Sequence, residues 1–142
     1  MASFVKFSTF VEKLAEGAHN LGSDTLRLAL TNTLPTAATD VGFLPGSSHP
    51  PPAAVNGYAT GGITLAVTSS SQSGGIYSLV LPDTSFIGSG GSIGPFQYAI
   101  LYNDTAASDE VIGYWDYGAE TTIVDGEIFP IYFGTAGVVQ VQ

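Results

Sequence analysis

Eighteen glycines and eight prolines cut this chain of 142 residues into short β-branched and aromatic runs. Runs of that length suit strands and are too brief for helices that bury a continuous stripe. The punctuation therefore predicts many strands joined by turns and argues against a helical bundle. Residues 25–31 alternate most cleanly, with Leu26, Leu28 and Leu30 on one side and Thr25, Arg27, Ala29 and Thr31 on the other. Ile63, Leu65 and Val67 alternate next, and the polar stretch 69–75 breaks the pattern before Tyr77, Leu79 and Leu81 resume it. Glycine and serine at 88–94 mark a loop tip, followed by apolar runs at 96–102 and 111–117. Residues 121–124 lead through Asp125-Gly126, a hairpin signal, into 128–133, and a last strand covers 138–142. The expectation is an all-β chain of about eight strands, an antiparallel sandwich or jelly-roll-like barrel forming a single domain over 1–142.

Two segments depart from this texture. In the N-terminal segment 1–24, Thr9 followed by Glu12 fits a capping box, and Gly17 stands where a short helix would end. A strand over residues 4–10 competes with that helix. Residues 32–60 form a polar, proline-punctuated excursion with Pro50, Pro51 and Pro52 in a row. A loop of that length is unusual inside a compact domain. It is expected either to hide short strands near 40–44 or 53–56, or to act as an extended arm beyond its own subunit.

Charge narrows the partners. Twelve acidic residues oppose three basic ones, for a formal net charge of -9, and the three cations, Lys6, Lys13 and Arg27, all precede residue 28. A nucleic-acid surface needs a basic footprint to displace counterions, so no nucleic acid is expected as a partner. Docking on anionic lipid is disfavoured for the same reason, and no stretch reaches the 18 or so apolar residues of a membrane span. No cleavable leader is expected at the N-terminus, where Glu12, Lys13 and Glu16 interrupt any apolar run. The chain has no cysteine, which removes disulfides, thiolate catalysis and cysteine-based metal centres.

Little in the sequence carries catalytic chemistry. His19 and His49 stand in no metal-ligand spacing, and His19, beside Asn20 and Gly22, suits a turn fixed by hydrogen bonds to backbone. Asp104 and Asp109, near Asn103 and Glu110, are weak calcium candidates, but the EF-hand spacing is absent and the simpler reading is that they end strands. The glycines at 88, 90, 91 and 94 precede no Lys-Ser or Lys-Thr pair, so they form no phosphate loop. Ser89 lies between glycines, yet no histidine follows it to complete a hydrolase triad in the usual order. A carboxylate pair of the glycosidase kind depends on a spatial separation that sequence spacing does not supply. The chain is therefore expected to be no enzyme, with no catalytic residue, metal or cofactor.

Aromatic residues are the remaining lead. Tyr98, Tyr102, Tyr114, Trp115, Tyr117, Phe129, Tyr132 and Phe133 crowd the last third of the chain. Strand alternation puts Tyr114 and Asp116 on one face and Trp115 and Tyr117 on the other, and outward rings would stack on sugars or anchor a subunit interface. Only 11% of residues are charged, below the level usual for a soluble monomer. A surface of Ser, Thr, Gly and Ala suits contact with other protein. Tyr114, Trp115 and Tyr117 are the expected interface aromatics, and Lys6, Lys13 and Arg27 are expected either to contact an acidic neighbour or simply to solvate the N-terminal region.

The run from Lys6-Phe7-Ser8-Thr9-Phe10-Val11-Glu12-Lys13 to Gly17-Ala18-His19-Asn20-Leu21, leading into Asp24-Thr25-Leu26-Arg27-Leu28, resembles small virion structural proteins of tailed bacteriophages. So do Asn56-Gly57-Tyr58-Ala59-Thr60-Gly61-Gly62, Ala99-Ile100-Leu101-Tyr102-Asn103-Asp104-Thr105 and Val111-Ile112-Gly113-Tyr114-Trp115-Asp116-Tyr117-Gly118. The resemblance implies a capsid decoration (cement) protein on the virion surface. Its partners would be the major capsid protein and copies of itself, in a homotrimer. The rival expectation is a tail- or fibre-associated adhesion module that binds host-surface carbohydrate through the same aromatics.

Overall fold

The computed structural model describes residues 2–43, 52, 54–134 and 137–142. Among the described residues the chain is all-β apart from one short helix. The elements are β1 (Ser3–Lys6), α1 (Ser8–Ala15), β2 (Leu26–Thr31), β3 (Ile63–Leu65), β4 (Ser69–Ser73) and β5 (Ile76–Val80). They continue with β6 (Thr84–Ile87), β7 (Ile93–Asn103), β8 (Val111–Ile123), β9 (Ile128–Ile131) and β10 (Val139–Val141). Three antiparallel sheets result: β1-β8-β7-β2-β3, β10-β5-β4 and β6-β9. No sheet among the described residues closes into a barrel, so the barrel half of the expectation is corrected.

The large sheet is the frame. Its long hairpin, β7 with β8, is flanked by β1 on one side and β2 on the other. Leu26, Leu28 and Leu30 are fully buried, as their alternation predicted. Ala29 and Thr31, on the other side of the strand, are equally buried. The cause is a second covering layer. Phe43 lies 4.8 Å from Tyr102, on the side of the sheet that Arg27 shares with its cross-strand partner Tyr102. Residues 58–62 close over the β2 edge, where the Tyr58 hydroxyl accepts the Leu30 N–H at 3.0 Å. Gly62 lies so close that a Cβ there would stand 1.9 Å from the Leu28 carbonyl oxygen. Phe43 and Tyr58 of the 32–60 excursion thus pack on their own chain. Within it the expected strand near 40–44 is an isolated bridge, Gly42 with Glu110, and the one near 53–56 has no counterpart among the described residues. Pro50 and Pro51 lie outside the described residues.

At the N-terminus both competing expectations are met in succession, a strand to Lys6 and then a helix from Ser8. The cap differs from the prediction. Phe7, whose side chain has no hydrogen-bonding atom, occupies the cap position, and the Thr9 hydroxyl donates to the Asp40 carbonyl rather than capping the helix. The helix ends as expected at Gly17: the N–H groups of Gly17 and Ala18 reach back to the carbonyls of Leu14 and Lys13.

Two turn assignments need correcting. The stretch 69–75, read as a break, contains β4 and the Gly74-Gly75 turn of a hairpin with β5. Both glycines have positive φ, 60° and 82°, as a two-residue turn of the I′ type demands. Serine-rich β4 gave no apolar alternation because it is a largely exposed edge. The Asp125-Gly126 turn also forms, but it joins strands that pair with other partners. Gly88 takes over its backbone groups: its N–H donates to the Glu127 carbonyl at 3.0 Å and its carbonyl accepts the Gly126 N–H at 2.8 Å. Strand β9 is thereby steered onto β6.

Candidate functional site: an aromatic groove beside an edge strand

Strand β8 carries Gly113, Trp115 and Tyr117 on one face, and β1 lays Phe4 directly opposite Trp115. The Phe4 and Trp115 rings are 4.8 Å apart, and Trp115 is 5.3 Å from Phe133 on its other side. Tyr117 meets Phe129 at 5.1 Å, and Phe129 meets Phe96 edge-on at 5.2 Å. These contacts seat β9 on the face of the large sheet that bears Trp115. Between β1 and the 129–133 segment runs a groove of about 630 Å³, lined mainly by rings together with Ala2, Pro130 and Ile131. Tyr132 stands at its rim with 71% of its surface exposed. Burial pushes the Tyr117 hydroxyl up to about 12, so it remains a neutral phenol at ordinary pH.

The expected interface aromatics are redistributed. Tyr114 and Asp116 do share the face opposite Trp115, with Tyr98 beside both. Tyr114 and Trp115 are nevertheless buried, at 9% and 7% exposure, and Tyr117 is half-buried. They form the floor and core of the sheet rather than an outward patch: Phe4 and Phe133 cover Trp115, Phe129 packs on Tyr117, and Phe7 and Tyr98 pack on Tyr114 from the opposite face. The exposed ring is Tyr132, and the residue that completes the groove is Phe4. Phe4 had no sequence signal beyond its place in a short N-terminal run.

The three cations do not make one patch. Lys6 ends β1 and is exposed. Lys13 in α1 pairs at 3.1 Å with Glu16, just past the helix end, and this contact raises its pKa. Arg27 lies in β2, separated from β1 by β8 and β7. Three strand spacings put it about 14 Å from Lys6 across the sheet. Its guanidinium donates to the Gly62 carbonyl at 3.0 Å and lies 3.9 Å from the Asp104 carboxylate. Asp104, a calcium candidate, therefore faces a cation. Asp109, the other candidate, adopts a positive φ of 51°, and burial together with the nearby Asp104 and Glu110 carboxylates raises its pKa. Among the described residues no group of three or more His, Asp or Glu side chains comes together to hold a metal.

His19 is fixed, but by a side chain rather than by the backbone contact expected of it. Its ring is buried 5.0 Å from Phe10, and its Nδ1 lies 3.1 Å from the Asn103 amide nitrogen. The same nitrogen donates to Asp24 at 2.7 Å, while the Asn103 oxygen accepts the backbone N–H groups of Thr105 and Ala106. His49 lies outside the described residues. Comparison with protein-family models, curated proteins and solved structures finds no match to this chain.

Proposed function

We propose that this protein is a non-enzymatic structural component of a tailed-phage virion, one that decorates and stabilises the capsid shell through contacts with the shell and with its own copies. The observation that carries this reading is the aromatic groove with Tyr132 exposed at its rim. An uncovered aromatic anchor beside a preformed apolar depression is what a protein–protein contact uses for most of its energy. Two further features support it. Arg27 and Lys13 are engaged within the chain, so the outer surface is dominated by neutral and acidic groups. Strand β1 is also the outer member of its sheet, beside the groove, where symmetric copies can abut. In this reading the layered sheets act as a sandwich-type module on the capsid surface.

The test is the absolute mass of the purified protein by light scattering after size-exclusion chromatography, followed by co-sedimentation with shells of the major capsid protein. A species of three times 14.6 kDa, stable on dilution and bound to shells, is the expected result. A 14.6 kDa monomer that leaves shells bare would overturn it. Exposure of Tyr132 also favours a second reading, a tail or fibre adhesion module stacking host-surface sugars on that ring. Saturable glycan affinity lost on Tyr132→Ala would support this alternative, and silence across cell-wall glycans would remove it.

A further inference from the structure

Strand β4 is an outer member of the small sheet and, with five residues, the longest outer strand among the described residues. Its hairpin register fixes which of its main-chain groups are spent. The pair Ser73–Ile76 closes the Gly74-Gly75 turn, so alternation makes Ser73, Ser71 and Ser69 the positions bonded to β5. Ser70 and Gln72 lie between them, and their N–H and C=O groups point away from β5. The far side of β5 agrees. Leu79, which faces Ser70, accepts the Val138 N–H at 2.8 Å and so turns its main chain toward β10. The open edge is short at both ends. It stops at the turn after Ser73, and before Ser69 the Thr68 N–H reaches the Val80 carbonyl at 2.9 Å. Val80 is the register partner of Ser69, so this is the two-against-one arrangement of a bulge, which bends the strand away.

Outer strands are normally guarded by charge or proline against pairing with another chain. The sequence of β4, Ser69-Ser70-Ser71-Gln72-Ser73, has neither guard, and Ser70 to Ser73 are exposed. Charge then selects the partner. The chain carries a formal net charge of -9, so two copies repel wherever their acidic groups meet. No Asp, Glu, Lys or Arg lies between Asp40 and Asp83 or in β10, so all three strands of the small sheet are uncharged. A second copy meets no like charge on these strands, and a basic partner would find no acidic group there.

We propose that two copies of this protein join edge to edge through β4, antiparallel about a two-fold axis at Ser71. Ser70 then faces Gln72 of the second copy, and each such pair exchanges two hydrogen bonds, so that none of the outward main-chain groups is left over. The two three-stranded sheets merge into one of six strands. This contact goes beyond the shell reading, and no residue of β4 lines the aromatic groove.

The test uses the full chain, which has no cysteine of its own. Ser71 lies on the axis, where the Cα atoms of a non-hydrogen-bonded pair stand about 4.5 Å apart, within reach of a disulfide. Ser71→Cys is expected to cross-link chains in pairs under mild oxidation in 1 M salt, which screens charge repulsion to about 3 Å. Ser69→Cys should not, because its counterpart is about 13 Å away, four residues along the strands. In the parent chain, amide exchange at Ser70 and Gln72 should slow about tenfold once nine in ten chains are paired, with little change at Ser71. Gln72→Pro removes an N–H that faces away from β5 and should suppress the Ser71→Cys cross-link. Tyr132→Ser should leave that cross-link intact, which separates this joint from the groove. Cross-linking of Ser71→Cys no faster than Ser69→Cys would overturn the proposal. So would exchange at Ser70 and Gln72 that is unchanged by protein concentration, or a cross-link lost with Tyr132→Ser. None of these outcomes depends on binding to shells.

Discussion

The Phe4 ring occupies the space that a side chain at position 113 would need: a Cβ built on Gly113 would stand 2.2 Å from two of its ring carbons. It would also stand 2.9 Å from the Val5 carbonyl oxygen, so both the ring and the strand backbone oppose any addition. Glycine at 113 is thus what lets β1 lie flat on β8 and places Phe4 in the groove. Gly113→Ala is expected to destabilise the protein by about 2 kcal/mol or more, as overpacking against a backbone neighbour does. The paired change Phe4→Ala with Gly113→Ala should recover part of that loss. Urea unfolding of the two variants and the pair checks this; simple additivity would mean that the ring is not the obstacle.

Tyr58 closes the β2 edge by accepting the buried Leu30 N–H, and burial pushes its own hydroxyl up to about 12. Tyr58→Phe removes the acceptor and leaves that N–H unpaired. The expected loss is about 1–3 kcal/mol, with faster hydrogen exchange at the Leu30 amide than at its strand neighbours. Unchanged exchange at Leu30 would show that another group satisfies it.

His19 makes stability depend on pH in a defined direction. Burial lowers its pKa in the folded state from the 6.5 of a free imidazole. The unfolded chain then binds the proton more readily than the native one, so stability rises with pH through this window. It should be fully present above 6.5 and be lost progressively as pH falls from 6.5 toward the lower native value. Glu110 and Asp24 oppose the shift without reversing it. Stability of the parent minus that of His19→Phe, measured from pH 7.5 down to pH 5, should show the decline; a flat difference would contradict it.

Tyr132 and Trp115 separate contact from core. Tyr132 is exposed, so Tyr132→Ser should change stability by less than about 0.5 kcal/mol. Under the proposed function the same change should dissociate the oligomer or release the protein from shells. Trp115 is buried between Phe4 and Phe133, and Trp115→Ala should cost about 3–5 kcal/mol. A Tyr132→Ser protein that assembles as well as the parent would remove the groove rim from the interface.

The all-β class, the strands around Leu26–Leu28–Leu30 and at the apolar runs 96–102 and 111–117, and the helix stop at Gly17 were legible because each depends on local periodicity or turn chemistry. The same local rules put Trp115 and Tyr117 on one face of β8 and Tyr114 and Asp116 on the other. Which face is covered is not a local property. Ala29 and Thr31 are buried because residues some thirty positions away in the chain fold over β2. Trp115 is buried because Phe4 and Phe133, from opposite ends of the chain, converge on it. The Asp125-Gly126 turn shows the same limit, since Gly88 captures its backbone groups and redirects β9 to β6. His19 and Asn103 are 84 positions apart, and only their meeting assigns the imidazole proton. Alternation and turn residues act over a few bonds and were determined by the sequence directly. Burial, strand partnership and protonation depend on contacts between distant segments, and these were decided only when the tertiary structure brought the segments together.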